Sequence, residues 1–298
     1  MTRHMVTGSL VLIAAIAVAA AQPVPDAAMD GSALVRPTVM AEHRSIGPEA
    51  PTALAIRFQI QDGWHVYWRN PGDTGAEMTV NYKGPEWASI GDLQWPVPER
   101  YRSPGDLLDF VHHGDPVLLT ELRIDADKWA SAGSPDLLDF ELAFEWFVCK
   151  DICLLGEGSA SIEIPIAEDA RTRREVTQEH AAAFRNARSA LPVPHDQVEP
   201  GTYAAAFEDV TLTIHAPGAD RLTFFAYESP QLAVPENSLR DAQQQGDRLT
   251  IRYREAASSQ EFLWGVLVIE RRAGERSNAV TEAVEVKVPV PARKTSPD

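Results

Sequence analysis

Cys149 and Cys153 are the two cysteines among 298 residues, separated by Lys150, Asp151 and Ile152. A pair this close can bond to itself whether the chain between them folds as a tight turn or as a helix that stacks residues four apart. Three chemistries suit it. The bond opens and closes as a thiol-disulfide exchange centre, it clips its own loop, or the two thiolates hold a soft ion such as copper(I) with His112, His113 or Met78. Closing so small a ring contributes only about 2 kcal/mol, which a chain long enough for two cores hardly needs. A short ring is easily reduced, as exchange requires. Lys150 favours a thiolate at Cys149 and Asp151 opposes it. No four-ligand spacing suits zinc, and His112-His113 reads as an exposed turn pair, so no metal site is assigned. Ser-His-Asp, phosphate-loop and paired-carboxylate constellations are not evident.

The second concentration of chemistry is Gly63 to Gly75, the densest aromatic stretch of the chain. As a strand leading into an Asn70-Pro71-Gly72-Asp73 turn, it turns Trp64, Val66 and Trp68 inward and His65, Tyr67 and Arg69 outward. Its bland reading is a core strand with a hairpin. Its sharper reading makes the edge from Trp64 to Asp73, with His65, Tyr67, Trp68, Arg69 and the nearby His112 and His113, a surface for a partner.

These residues need a scaffold, and the apolar pattern from Thr38 onward has mostly a period of two. Leu54, Ile56, Phe58 and Ile60 fall on one face of a strand, as do Phe140, Leu142, Phe144, Trp146 and Val148, whose strand ends at Cys149. Gly- and Pro-bearing turns such as Gly84-Pro85, Ser103-Pro104-Gly105-Asp106 and Gly133-Ser134-Pro135 separate the runs. Many short strands between such turns predict an all-β, antiparallel sandwich over 22–167. Residues 168–194 differ: a stretch rich in Ala, Arg and Glu, without Gly or Pro through Ala190, predicts a helix that exits through Leu191-Pro192-Val193-Pro194. Strand patterns resume over 195–288 as a second, smaller β domain, and 289–298 reads as a flexible tail.

Residues 1–21 carry Arg3 and His4, an apolar run from Leu10 to Ala21 and a small-residue exit, the layout of a secretory signal peptide cleaved after Ala21. An uncleaved anchor is the alternative, though the run is short of the roughly 20 residues a span needs. The expected mature protein is exported, soluble and not itself transmembrane. The full chain's formal net charge of −16 repels phosphate backbones, which excludes nucleic acid as a partner.

Three separated segments resemble one family in the same order: Gly63 to Gly75, Leu93 to Arg100, and Trp146-Phe147-Val148-Cys149-Lys150-Asp151-Ile152-Cys153-Leu154. The family is the periplasmic N-terminal domain of the DsbD and ScsB thiol:disulfide interchange proteins, with the closer likeness to the ScsB branch. The resemblance covers about Thr38 to Ile166 and extends more loosely through the helix and second β domain. It implies an immunoglobulin-like sandwich in which Cys149 and Cys153 match the redox pair. That pair takes electrons from a membrane-embedded thiol donor and passes them to periplasmic thioredoxin-fold proteins, without an organic cofactor. Two departures stand out. The transmembrane and C-terminal thioredoxin-like domains of full-length members have no counterpart in this sequence, so a separate donor is expected. Phe110-Val111-His112-His113-Gly114 stands where ScsB-like sequences carry tyrosines.

Overall fold

The computed structural model describes residues 30–167, 178–227, 242–253, 261–272 and 279–291. The signal-peptide reading, the start of the expected helix and residues 292–298 lie outside them.

The first half is an immunoglobulin-like sandwich of two antiparallel sheets. One sheet orders β1 (Val35–Ala41), β2 (Thr52–Ile60), β8 (Val117–Ile124) and β5 (Ala88–Ile90). The other runs β10 (Cys153–Pro165), β9 (Leu137–Cys149), β3 (His65–Gly72), β7 (Leu107–His112) and β6 (Glu99–Ser103), with β4 (Thr79–Lys83) also paired to β9. The alternation in the sequence becomes burial: Leu54, Ile56, Phe58 and Ile60 meet Phe140, Leu142, Phe144, Trp146 and Val148 in one core, with Phe58 edge-on to Phe144. Period-two patterning of this kind fixes register, because a one-residue slip would turn every core side chain to water.

A six-residue helix, α1 (Ala126–Ser131), connects β8 to β9 and is capped by the Asp125 carboxylate, which accepts from the Lys128 N–H. The helix α2 (Gln178–Ser189) lies against the first sheet, burying Phe184 and Ala187 against Ala55 and Leu119. Arg188 holds it to Glu42 through two 2.7 Å hydrogen bonds.

The second half is again all β. One sheet orders β11 (Ala204–Glu208), β12 (Thr211–His215), β15 (Arg248–Arg252) and β14 (Gln243–Gln245); the other orders β13 (Arg221–Ala226), β16 (Phe262–Arg272) and β17 (Ala279–Pro289). Their apolar faces bury Phe207, Leu212, Ile214, Leu249 and Ile251 with Leu222, Phe224, Leu267, Ile269, Val284 and Val286. β11 and β14 lacked an apolar alternation strong enough to be read as strands. Order also extends into the stretch read as a tail: Val290 is buried and its N–H donates to the Glu261 carbonyl.

Candidate functional site

β9 and β10 form a long hairpin in which Cys149 and Cys153 are direct cross-strand partners, so the strands themselves bring the sulfurs together. The two are bonded. The site is asymmetric: Cys149 is 2% exposed, whereas Cys153 stands at the accessible start of β10.

The disulfide lies on the outer face of the six-stranded sheet. Odd positions of β9, from Asp139 to Cys149, share that face with Cys153, Leu155 and Glu157 of β10, while the even positions of β9 fill the core. β3 adds His65, directly opposite Cys149, and Tyr67. The Tyr67 hydroxyl donates to Cys149 Sγ at 3.2 Å and lies 3.4 Å from Cys153 Sγ. With its proton committed to sulfur, it accepts from Thr74 Oγ1 at 3.1 Å. Thr74 is held in turn by Asp109, a fully buried carboxylate that accepts from the Thr74 N–H at 2.9 Å and from the Ser103 hydroxyl. A chain of hydrogen bonds thus runs from a buried carboxylate to the buried sulfur. Thr74, Ser103 and Asp109 were not among the expected site residues; the acid inside the apolar run of β7 was the signal for Asp109.

Burial is the main cause of the electrostatics here. It raises the Tyr67 phenol above its usual value, so the hydroxyl stays protonated as a donor. It also pushes the His65 imidazole down to about 4, helped by His113 and opposed by Asp109. His65 sits among the rings of Tyr101, His113 and Tyr67 at 4.6, 5.4 and 5.6 Å, and its Nε2 has no hydrogen-bond partner.

Several expectations need correction. Val66 and Trp68 lie in the core and His65 and Tyr67 on the outer face, as read, but His65 and Tyr67 are each 2% exposed, and past Tyr67 the register shifts. The turn after β3 folds over Tyr67, while Tyr101 and His113 cover His65. Gly75, at φ +71°, passes so close that a Cβ there would stand 2.3 Å from the Tyr67 ring. Trp68 packs on Phe110, and also on Phe225 and Tyr227 from the second half; Arg69 stacks over Tyr227 at 4.3 Å. Asp73 clasps β7, exchanging hydrogen bonds with the Leu108 backbone at 2.7 and 3.0 Å. Trp64 is partly buried against the core. The expected docking edge is therefore mostly interior.

His112 is not an exposed turn residue. It is 5% exposed, stacks on Trp95, and burial followed by the charge of His113 pushes its imidazole down to about 3. With His113 it lines a cavity of about 640 Å³ beneath α2. His113 is half-buried, 3.4 Å from Glu99. Among the described residues, no group of three or more His, Cys, Asp or Glu side chains is placed to hold a metal ion, and no helix is long and apolar enough to cross a membrane.

Fold and site together define an immunoglobulin-like β protein built around a hairpin disulfide with one buried and one accessible sulfur. Residues 34–163 match the family model of the N-terminal region of the thiol:disulfide interchange protein DsbD, a likeness that points to thiol-disulfide exchange. The N-terminal periplasmic domain of ScsB from Proteus mirabilis shares the fold at a TM-score of 0.52 and 16% identity, over 85% of this chain and 92% of that one. The reduced DsbD N-terminal domain of Neisseria meningitidis aligns at a TM-score of 0.29 and 11% identity, over 50% of this chain and 96% of that one. No curated protein sequence matches the chain.

Proposed function

We propose that this protein relays electrons in the periplasm through Cys149 and Cys153, taking them from a membrane-embedded thiol donor and passing them to thioredoxin-fold proteins. The observation that carries the reading is the division of labour between the sulfurs: Cys153 is accessible, and Cys149 is buried under the Tyr67 hydroxyl. A donor thiolate attacks Cys153 Sγ, the Cys149–Cys153 bond breaks, and its electron pair leaves on Cys149, facing the phenol proton. A second donor thiol then attacks the mixed disulfide and releases Cys153 as a thiol. The donor leaves oxidised, and the pair holds two electrons and two protons.

Delivery reverses the order. The Cys153 thiolate attacks the acceptor's disulfide and expels one acceptor thiolate, and Cys149 resolves the mixed disulfide by attacking Cys153 Sγ. The acceptor leaves as a dithiol. The electrons travel on sulfur throughout, so the reaction needs no organic cofactor or metal.

Trapping tests the roles. Cys149→Ser should accumulate a covalent adduct through Cys153, and Cys153→Ser should form none; adducts of equal yield from both variants would overturn the assignment. A redox titration tests the class. A potential between about −120 and −270 mV fits exchange, whereas one below about −300 mV fits a clip on its own hairpin.

A further inference from the structure

The outer face of the β9–β10 hairpin continues past the disulfide, and what it displays there is unusual for a solvated surface. Leu155 follows Cys153 on the same face and is 58% exposed; Ile152, in the turn before Cys153, is also 58% exposed. Phe147, the cross-strand partner of Leu155, adds a partly buried ring beside them. One step further along, Glu157 and Glu145 are exposed cross-strand partners. Like charges in that relation repel. On β9, Glu141 is neutralised by Lys83 at 3.0 Å, but Glu145 and Glu157, like the Asp139–Glu163 pair at the far end of the hairpin, form no ion pair among the described residues.

Resting on the exchange reading above, we propose that this face is where the redox partner seats. The apolar rim around the partner's reactive cysteine covers Ile152, Leu155 and Phe147, and a lysine or arginine of the partner lands between Glu145 and Glu157. From Cys153 to Glu157 is four residues of extended chain, which places that cation about 13 Å from the sulfur of the mixed disulfide. The surface thus has a reactive atom, an apolar collar and an anionic register mark along one strand. It selects a protein disulfide with a basic flank and disfavours an acidic one. The repulsion between the two carboxylates is relieved only in the complex, which makes the pair a device of recognition rather than of stability.

The test uses the reduced full chain and two symmetrical peptide disulfides, of Ac-Cys-Ala-Leu-Ala-Lys-Lys-NH2 and of Ac-Cys-Ala-Leu-Ala-Glu-Glu-NH2. Stopped-flow oxidation should favour the basic peptide by about tenfold or more at low salt, and the preference should collapse near 0.5 M NaCl, where the Debye length is about 4 Å. Glu145→Gln with Glu157→Gln should remove most of the preference. Asp139→Asn with Glu163→Gln, an identical charge change on the same face about 33 Å from Cys153, should leave it. Leu155→Ser should slow both peptides. A preference that survives the first double substitution, or that the distant pair abolishes equally, overturns the proposal and leaves general steering by an acidic chain. Dithiothreitol separates the two levels: a pair inert to it sinks the exchange reading and this proposal together, whereas a reactive pair with an unselective face sinks this proposal alone.

Discussion

Tyr67 is the side chain on which the chemistry of the pair turns, because its hydroxyl touches the sulfur that must leave. A hydrogen bond to a developing thiolate contributes about 1.5 to 3 kcal/mol. Tyr67→Phe should therefore slow reduction of the disulfide by dithiothreitol by about tenfold or more while leaving the melting temperature nearly unchanged. An unaltered rate would show that the phenol is packing and nothing else. His65 makes a different prediction. The unfolded chain takes up a proton there near 6.5, but the folded chain refuses it until about 4, so His65 contributes stability above 6.5 that is lost as the pH falls across that window. The loss is on the order of 3 kcal/mol. Urea unfolding from pH 7.5 to 4.5 should show a stability-against-pH slope that is shallower in His65→Leu by about one proton. Identical slopes would mean that the folded imidazole titrates normally. The sequence displayed both residues in its densest aromatic stretch, but not their burial, because Tyr101 and His113 arrive from separate segments and the turn through Thr74 folds back on the strand.

At the scale of elements, β9 and β3 show what patterning can and cannot reveal. β9 alternates large apolar with polar or small side chains for most of its length, and the structure follows it position by position down to Cys149. β3 carries bulky side chains on both faces, which says that both are covered and not by what. Its cover on the outer side is the turn through Gly72 and Gly75, pinned to β7 by Asp73 and Asp109. That turn sets the Tyr67 ring, so a change confined to it should reach the sulfurs. Gly75→Ala forces a left-handed φ on a residue with a Cβ and drives that Cβ into the ring. It should lower stability by about 1 to 3 kcal/mol and slow exchange as Tyr67→Phe does. The two substitutions should be markedly non-additive in rate, since both break one contact. Additive rates in the double variant would separate the turn from the hydroxyl.

At the scale of the whole molecule, the inner face of β3 links the two halves. Trp68 packs in one cluster with Phe110 of the first half and Phe225 and Tyr227 of the second, Phe110 and Phe225 also meeting edge-on at 5.1 Å; Asn70 Nδ2 donates to the Ala226 carbonyl at 2.8 Å, and the Tyr227 hydroxyl donates to Glu285 at 2.8 Å. The segment after α2 joins both ends of this arrangement: Ala190 accepts from the Val97 N–H, and Val193 exchanges backbone hydrogen bonds with Ala283 and Glu285. The sequence suggested two β regions and a connecting helix, yet it could not show that an indole expected in the first core would serve the second as well. Phe225 lies more than 150 residues downstream, and no local period records such a contact. Because the strand that carries Tyr67 is also the joint, the two halves should unfold as one cooperative unit, with fluorescence and circular dichroism transitions coinciding. Trp68→Ala removes the shared side chain, should cost about 3 to 5 kcal/mol, and should split that transition in two, the halves then melting apart. Reduction by dithiothreitol should slow in this variant, because β3 also positions the Tyr67 hydroxyl on Cys149, and loosening the strand withdraws that donor from the leaving sulfur. A single, merely shifted transition with an unchanged rate would show that the halves meet without being coupled.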